Sequence, residues 1–194
     1  MDKMNQILEQ LHLDANLDLE EIPAIDLYMD QVIQLFENKF SKTLRNEEDK
    51  VLTKTMINNY AKGKLIFPIN NKKYSKEHII LICLIYQLKG ALSINDIKDT
   101  LDGLNKKIVK DDIDLDALYK SYLFLSQKNV EDFHDDLNER LMNVKEEVTK
   151  VGNSPYLEQV LMITSLVHMS NLYRKTAEKL IDQLPVQKEG KRQK

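Results

Sequence analysis

The sequence predicts a mostly α-helical protein with one short β-hairpin. Glycine and proline are scarce, with five and four copies in 194 residues, which disfavours long loops and β-rich architectures. In several segments apolar residues recur at three- and four-residue spacing, the pattern of one face of an amphipathic helix. Asn70 and Asn71, residue types that tolerate hairpin-turn dihedral angles, lie between the segments LIFP and KKY, which indicates a hairpin turn. The length allows one large domain or two small ones with a proper core.

The first part of the chain contains two predicted helices. Residues 2–12 form an amphipathic helix, and an acidic connector that ends at Pro23 follows it. The second helix extends from about 24 to 40, and a polar link covers 41–51. Its apolar stripe consists of Leu27, Tyr28, Val32, Leu35 and Phe36.

The stretch from 52 to 101 contains a third helix and the hairpin. Thr53 or Thr55 can cap the helix, and Gly63 suits its end, where a left-handed residue is needed. The segments LIFP and KKY flank the two asparagines, so they are predicted to be the strands of a small β-wing. Tyr60 and Tyr74 fall on the apolar side, and we expect both in the core.

Two further helices follow in this stretch. Ser75 caps a helix that reaches about Lys89; its apolar run 79–86 could be a buried strand by periodicity, but its length, polar ends and cap favour helix. Ser93 and Asp96 form a capping-box pattern for the next helix. That helix is predicted to close at Gly103, which is typical of a helix end.

The C-terminal region is predicted to be a helical bundle. Asp114 caps a helix over 115–127, a second helix covers roughly 129–150, and a last one extends from Pro155 to about 184. This last helix is apolar almost all round from Val160 to Tyr173, so its own domain or a second copy must bury it. The predicted organisation is an N-terminal segment (1–22), a central module (23–105), a C-terminal helical region for dimerisation or sensing (110–184) and a disordered tail (185–194).

Charge is unevenly distributed although the net charge is only −3. Residues 1–49 carry twelve acidic and four basic side chains, a net charge of −8. Residues 50–90 carry eight lysines and one glutamate, a net charge of +7. A basic island of this kind suits a phosphate-binding surface, and the alternative is a solvated lysine face.

Several functional classes have little support in the sequence. The single cysteine, Cys83, lies in an apolar run and is expected to be a buried core residue. The N-terminus does not resemble a signal peptide and no apolar stretch reaches membrane-spanning length, so a cytoplasmic protein without membrane contact is expected. Glu131 and His134 have the spacing of one half of a di-iron site, but no second pair exists. We therefore expect no enzyme activity, metal or cofactor.

The order of motifs in residues 52–101 resembles the MerR-type winged helix-turn-helix of bacterial transcription regulators. Tyr60, then Leu65-Ile66-Phe67-Pro68, then Tyr74-Ser75-Lys76-Glu77-His78, then Ser93-Ile94-Asn95-Asp96-Ile97 follow the order of that family's pattern. The chain as a whole is most similar to the YkrK-like family of uncharacterised bacterial proteins, whose domain is MerR-related. It departs from the pattern at Lys64, where a glycine is usual, and at Asn58 and Asn59, where an arginine and a tyrosine are usual.

The resemblance implies a helix that enters the major groove of double-stranded DNA and a wing on the backbone. Lysines would neutralise phosphate, Asn58 and Asn59 could pair with adenine, and Thr53 and Thr55 could bind a phosphate at the helix start. The predicted DNA-binding residues are Thr53, Lys54, Thr55, Asn58, Asn59, Lys62, Lys64, Lys72 and Lys73. The alternatives are that the threonines are only caps and that the asparagines and lysines are ordinary surface residues.

Two functional hypotheses follow from the sequence. The first is a homodimeric, sequence-specific transcriptional regulator, expected to act as a repressor, that dimerises through residues 110–184. The second is a protein-interaction module that keeps the helix-turn-helix fold without DNA binding, its acidic N-terminal part covering the basic island. The lysine excess within 50–90 favours the first hypothesis.

Overall fold

The structure, a computed structural model, describes residues 2–46 and 48–185. This part of the chain is mostly helical with one small two-stranded antiparallel sheet, as the composition predicts. Of the tail predicted to be disordered, residues 186–194 lie outside the described residues. The helices are α1 (Asp2–Leu11), α2 (Met29–Phe40), α3 (Lys54–Lys62), α4 (Lys76–Leu88), α5 (Ile94–Val109), α6 (Leu115–Lys150) and α7 (Pro155–Ile181), and the strands are β1 (Leu27–Tyr28) and β2 (Lys73–Tyr74).

Helix α4 is the centre of the main core. Every side chain from His78 to Cys83 is buried, as is Ile85, so the apolar run that periodicity alone could assign to a strand is a helix buried on nearly every side. Each isoleucine that is fully removed from water contributes about 1.5–3 kcal/mol to stability. Burial raises the pKa of the Cys83 thiol to about 12, which keeps the thiol neutral. Tyr60 and Tyr74 are also buried in this core, as predicted.

The main core draws on residues outside the predicted 23–105 module. Leu17 and Tyr119 are both almost fully buried in it. The hydroxyl of Tyr119 donates a 2.7 Å hydrogen bond to the carbonyl oxygen of Leu17, 102 positions earlier in the chain. The segment before α2 and the first turns of α6 are therefore parts of one packing unit.

The sheet differs from the predicted hairpin. Strand β2 pairs antiparallel with β1, Leu27 opposite Tyr74, and no strand forms over 65–68. Leu65 and Ile66 are instead buried in the core, and Pro68 cannot donate a backbone hydrogen bond. The prediction that the second helix begins at about residue 24 was also wrong. Pairing with β2 holds Leu27 and Tyr28 in an extended strand, so α2 begins only at Met29.

The predicted turn at the asparagines does form. The N–H of Lys73 donates to the carbonyl oxygen of Asn70 at 2.9 Å, and these two residues form an isolated antiparallel bridge. The central residues are Asn71 and Lys72, with φ of 51° and 59°. Two successive positive φ angles are the signature of a type I′ hairpin turn. The turn is thus one residue later than the sequence indicates.

At the end of α3 the left-handed residue is Lys64 and not Gly63, contrary to the prediction. Gly63 has a right-handed φ of −72°, and Lys64 is the left-handed residue, with φ of 60°. The N–H groups of Lys64 and Leu65 bond to the carbonyls of Ala61 and Tyr60, which is a Schellman motif. Glycine is needed at 63 for space, since a Cβ there would lie 2.7 Å from Leu65 Cδ1 and 3.0 Å from the carbonyl oxygen of Asn59.

Helix α5 continues past Gly103, contrary to the prediction. Its N-terminus has the predicted cap, in which Ser93 Oγ accepts the N–H of Asp96 at 3.2 Å. Six more residues follow Gly103 because Leu104 and Ile108 pack against the core and Asn105 is buried. Apolar periodicity on one side of the helix therefore outweighs the weak helix propensity of one exposed glycine.

The C-terminal region is a hairpin of two long helices. The two helices predicted over 115–127 and 129–150 are one 36-residue helix, α6, because no proline or glycine interrupts it. Asp114 caps it as predicted, its Oδ1 accepting the N–H of Ala117 at 2.9 Å. α7 packs back along α6, and a second, smaller core forms between them. Met4 and Leu8 of α1 pack against this second core.

Buried His78 links α4 to the segment that precedes the turn. Its Nδ1 accepts the N–H of Ser75 at 3.2 Å, so Nε2 carries the proton and donates to the carbonyl oxygen of Phe67 at 3.3 Å. The Phe67 ring lies 3.8 Å from the imidazole, centroid to centroid. Burial lowers the pKa of His78, because the charged form loses its hydration.

We predict that Gly103→Ala stabilises the protein by about 0.5–1 kcal/mol, since alanine has the higher helix propensity. An added Cβ meets nothing within 4 Å at this position. Gly152→Ala is the control with the opposite sign, because Gly152 has a φ of +110°. Urea denaturation of both variants measures the change, and a destabilised Gly103→Ala protein would contradict the assignment of α5.

We also predict that stability decreases as the pH falls from 7.5 to 5.5. The folded-state pKa of His78 lies below its unfolded value of about 6.5, so the unfolded state takes up more protons as the pH falls through that value. His78→Gln keeps a donor and an acceptor and should flatten this dependence. Thermal melts across the pH range test this, with His168→Gln at an exposed site as the control. A slope unchanged in His78→Gln would refute the role of His78.

Candidate nucleic-acid interface

Helix α3 presents one apolar and one polar face. Thr53 is its N-cap, and the hydroxyl oxygen accepts the N–H of Met56 at 3.2 Å, so the capping role is observed directly. Ile57 and Tyr60 are buried in the main core, which fixes how the helix is rotated about its axis. All the remaining predicted residues of the helix are therefore on its outer side.

Five of the predicted DNA-binding residues form a single exposed surface. At 100° per residue they span an arc of about 140° on α3, with no buried residue between them. All five are exposed: Lys54, Thr55, Asn58, Asn59 and Lys62. Their side chains supply two ammonium groups, one hydroxyl and two amides. We call this surface the α3 outer face.

The remaining predicted lysines lie after α3 and in the turn. Lys64 and Lys72 are exposed, and both have a left-handed backbone. Lys73 is half-buried, and its Nζ lies 5.3 Å from the centroid of the Tyr28 ring, a cation–π contact. Helix α2 packs against both α3 and β2, so one helix supports the α3 outer face and the turn.

Not every lysine of the basic island is available to a partner. Lys76 Nζ lies 2.5 Å from a carboxylate oxygen of Asp116. Lys89 donates to the carbonyl oxygen of Val51 at 3.0 Å and lies 4.3 Å above the Tyr86 ring, and burial lowers its pKa. Both are structural, and Lys50, Lys54, Lys62, Lys64 and Lys72 make up the exposed part of the island.

The structure adds two residues that the sequence did not indicate. Asp30, at the start of α2, has an Oδ1 2.7 Å from Lys54 Nζ, and both side chains are exposed. The ring of Tyr28 makes the cation–π contact with the ammonium group of Lys73. Neither was detectable from local patterns, because each contact joins segments more than 20 residues apart.

The described residues show no sign of a metal centre. No three His, Cys, Asp or Glu side chains among them are grouped so that they could hold a metal ion. Glu131 and His134 are both exposed on α6, and Glu131 lies 3.5 Å from Lys128. In the same part of the chain, no helix has the length and apolar character needed to span a membrane.

Comparison with known proteins and families assigns the chain to a family. No curated protein and no solved structure matches the chain significantly. A family described as a domain of unknown function, DUF1836, matches residues 17–122, more than half of the chain. This range starts at Leu17 and ends shortly after Tyr119, the two residues whose hydrogen bond closes the main core. The chain therefore belongs to the DUF1836 family.

Proposed function

We propose that this protein is a sequence-specific regulator that binds double-stranded DNA through the α3 outer face. The observation that carries the proposal is the exposure of two amides, a hydroxyl and two ammonium groups on one side of a short helix whose other side is held by the core. The order β1, α2, α3, turn, β2, α4 also supports the MerR-like winged helix-turn-helix interpretation, with α3 as the recognition helix.

The chemistry of the α3 outer face suits direct readout of bases. Asparagine side chains pair bidentately with N6 and N7 of adenine in the major groove, so Asn58 and Asn59 would supply specificity. Lys54 and Lys62 would supply affinity by displacing counterions from phosphates. Thr55, in the first turn, would bind a phosphate together with backbone N–H groups.

The turn at 70–73 would act as the wing. Lys72 is exposed at its tip and would contact a flanking phosphate, and Lys64 would do so from the end of α3. Both residues hold a left-handed backbone in a tight structure, so their side chains start from fixed positions. A fixed lysine loses less backbone entropy on binding than one on a mobile loop.

We further propose that the protein acts as a homodimer built on α7. The sequence predicts burial of this helix on every side, yet α6 and a shorter contact with α5 leave one of its sides uncovered, and Met162 is its one buried residue within the described chain. Ile163 is 60% exposed, Val167 is 54% exposed and Tyr156 is 71% exposed. These residues recur at intervals of seven and four, which forms an apolar stripe along one face.

A second copy is the occupant that fits this stripe. Two antiparallel helices have only one seam between them, whereas two such hairpins together form a four-helix bundle with a closed core. A two-fold dimer would also present two α3 helices to half-sites about one DNA turn apart, the usual arrangement for helix-turn-helix regulators.

One observation favours the alternative of an interaction module without DNA binding. The ion pair between Asp30 and Lys54 puts a carboxylate beside the α3 outer face, where it opposes the approach of phosphate. An exposed ion pair is worth only about 0–1 kcal/mol, so phosphate contacts can replace it. The exposed lysines around this ion pair therefore support the DNA-binding proposal over the interaction module.

We predict that the protein binds duplex DNA from its own upstream region more tightly than a scrambled duplex, and that affinity falls steeply with salt. Lys54→Glu/Lys62→Glu should weaken binding to both duplexes and lower the salt slope by about one per lost phosphate contact. Asn58→Ala should remove about 1–3 kcal/mol of the preference between the duplexes. Fluorescence anisotropy across a salt series measures all three.

The matched control is Lys145→Glu/Lys175→Glu, which makes the same charge change at exposed positions on α6 and α7. It should keep the salt slope of the native protein, while circular dichroism confirms that every variant is folded. If the folded protein binds neither duplex at low salt, the regulator is refuted and the interaction module takes its place.

We predict a dimer at micromolar concentration in sedimentation equilibrium. Ile163→Glu/Val167→Glu should convert it to a folded monomer, because the stripe would bury two unpaired carboxylates. Thr164→Glu/His168→Glu, the adjacent exposed pair on α7, is the control and should dissociate the dimer less. A native protein that sediments as a monomer would rule out dimerisation, without bearing on DNA binding.

A further inference from the structure

A cleft of about 470 Å³ opens between the segment after α3 and helix α5. Its wall is mostly apolar, and ligand sites usually have volumes of about 300–1,000 Å³ with such a wall. On α3 the cleft reaches only half-buried Ala61, which lies just outside the arc of the α3 outer face. Its apolar lining consists of Ala61, Ile66, Phe67, Pro68, Ile69 and Val109.

Asn105, one of the residues that line this cleft, has a side-chain oxygen that no donor among the described residues reaches. The side chain is only 9% exposed and lines the cleft. Its Nδ2 donates to the carbonyl oxygens of Leu65 at 2.9 Å and Leu101 at 3.0 Å. Because both partners are acceptors, the amide cannot be flipped, and Oδ1 must face the other way. That oxygen is buried and accepts no hydrogen bond from the described residues.

A buried acceptor without a donor is destabilising, so a molecule that donates a hydrogen bond to it binds more favourably. Native structures retain few such atoms, and each one calls for a reason. Of the two hydrogen bonds from Nδ2, the one to Leu65 joins α5 to the segment after α3, and the one to Leu101 lies within α5. The Nδ2 group of Asn105 therefore stabilises the fold, and Oδ1 is left as an acceptor for a bound molecule.

The polar rim of the cleft is positively charged. Lys64 and Lys110 are exposed there, at the two sides. Lys106 also lies at the rim, but its Nζ is 2.5 Å from a carboxylate oxygen of Asp102 and its charge is compensated. Neither Lys64 nor Lys110 has an ion-pair partner in the described part of the chain, so the rim keeps two positive charges beside an apolar wall, which favours an anion with an apolar body.

We propose that this cleft binds a small organic anion that carries an apolar ring system and one N–H or O–H donor. The rings would lie against Phe67 and Ile69, the anionic group near Lys64 and Lys110, and the donor on Asn105 Oδ1. Of these residues, only Lys64 is also among the proposed DNA contacts, and Phe67, Ile69, Asn105 and Lys110 are not, so the inference does not depend on DNA binding.

The test uses two probes that differ in one group. 8-Anilinonaphthalene-1-sulfonate has a naphthalene body, an N–H donor and a sulfonate, and N-phenyl-1-naphthylamine has the same body and donor without the charge. Titration of each into ¹⁵N-labelled full-length protein is followed by ¹H–¹⁵N spectra. We expect the Asn105 side-chain amide and the backbone amides of Ile66 and Ile69 to shift with both probes, and the sulfonate to bind about tenfold more tightly.

Lys64→Glu/Lys110→Glu should lower the affinity for the sulfonate probe, measured at these signals, by about tenfold or more. The affinity for the neutral probe should change by less than about twofold. Lys145→Glu/Lys175→Glu makes the same net charge change and should leave both probes unaffected. Shifts confined to α7, or equal affinities for the two probes in all three proteins, would overturn the proposal. Both variants alter exposed side chains, so the result does not rest on any change to buried Asn105.

Discussion

The burial of α4 on nearly every side is the constraint on which the rest of this structure depends. A helix with His78 through Cys83 all removed from water needs neighbours in every direction. The chain supplies them from distant segments, including the stretch at Leu17 and the first turns of α6 at Tyr119. Helix α3 is one of these neighbours through Ile57. Its rotation, and with it the composition of the α3 outer face, is therefore a consequence of how α4 is covered.

Much of the helical content could be predicted from the sequence because local signals decide it. The caps at Thr53, Ser93 and Asp114 each bond to a residue three positions later. The spacing of apolar residues within a segment likewise indicates which face of that helix is buried. Where two local signals conflict, sequence reasoning failed. At Gly103 a helix-ending residue type lies within an apolar pattern that continues, and the pattern prevails.

Long-range pairing could not be predicted, and the candidate sites depend on it. The sequence places a turn near Asn70, but only the fold pairs β2 with a strand 46 residues earlier rather than with its neighbour. The exposure of the α3 outer face follows from helical periodicity and was predictable. The ion pair between Asp30 and Lys54 was not, nor was the unused acceptor of Asn105, since each depends on which segments meet in space.

Helix α6 has a mechanical consequence. At 1.5 Å per residue its 36 residues extend about 54 Å, and its first turns belong to one core while its later turns belong to another. A continuous helix without proline or glycine resists bending, so it behaves as a stiff lever. A small tilt at Tyr119 is amplified with distance into a displacement of several ångströms near Val148. One continuous helix therefore joins the two cores and couples their positions.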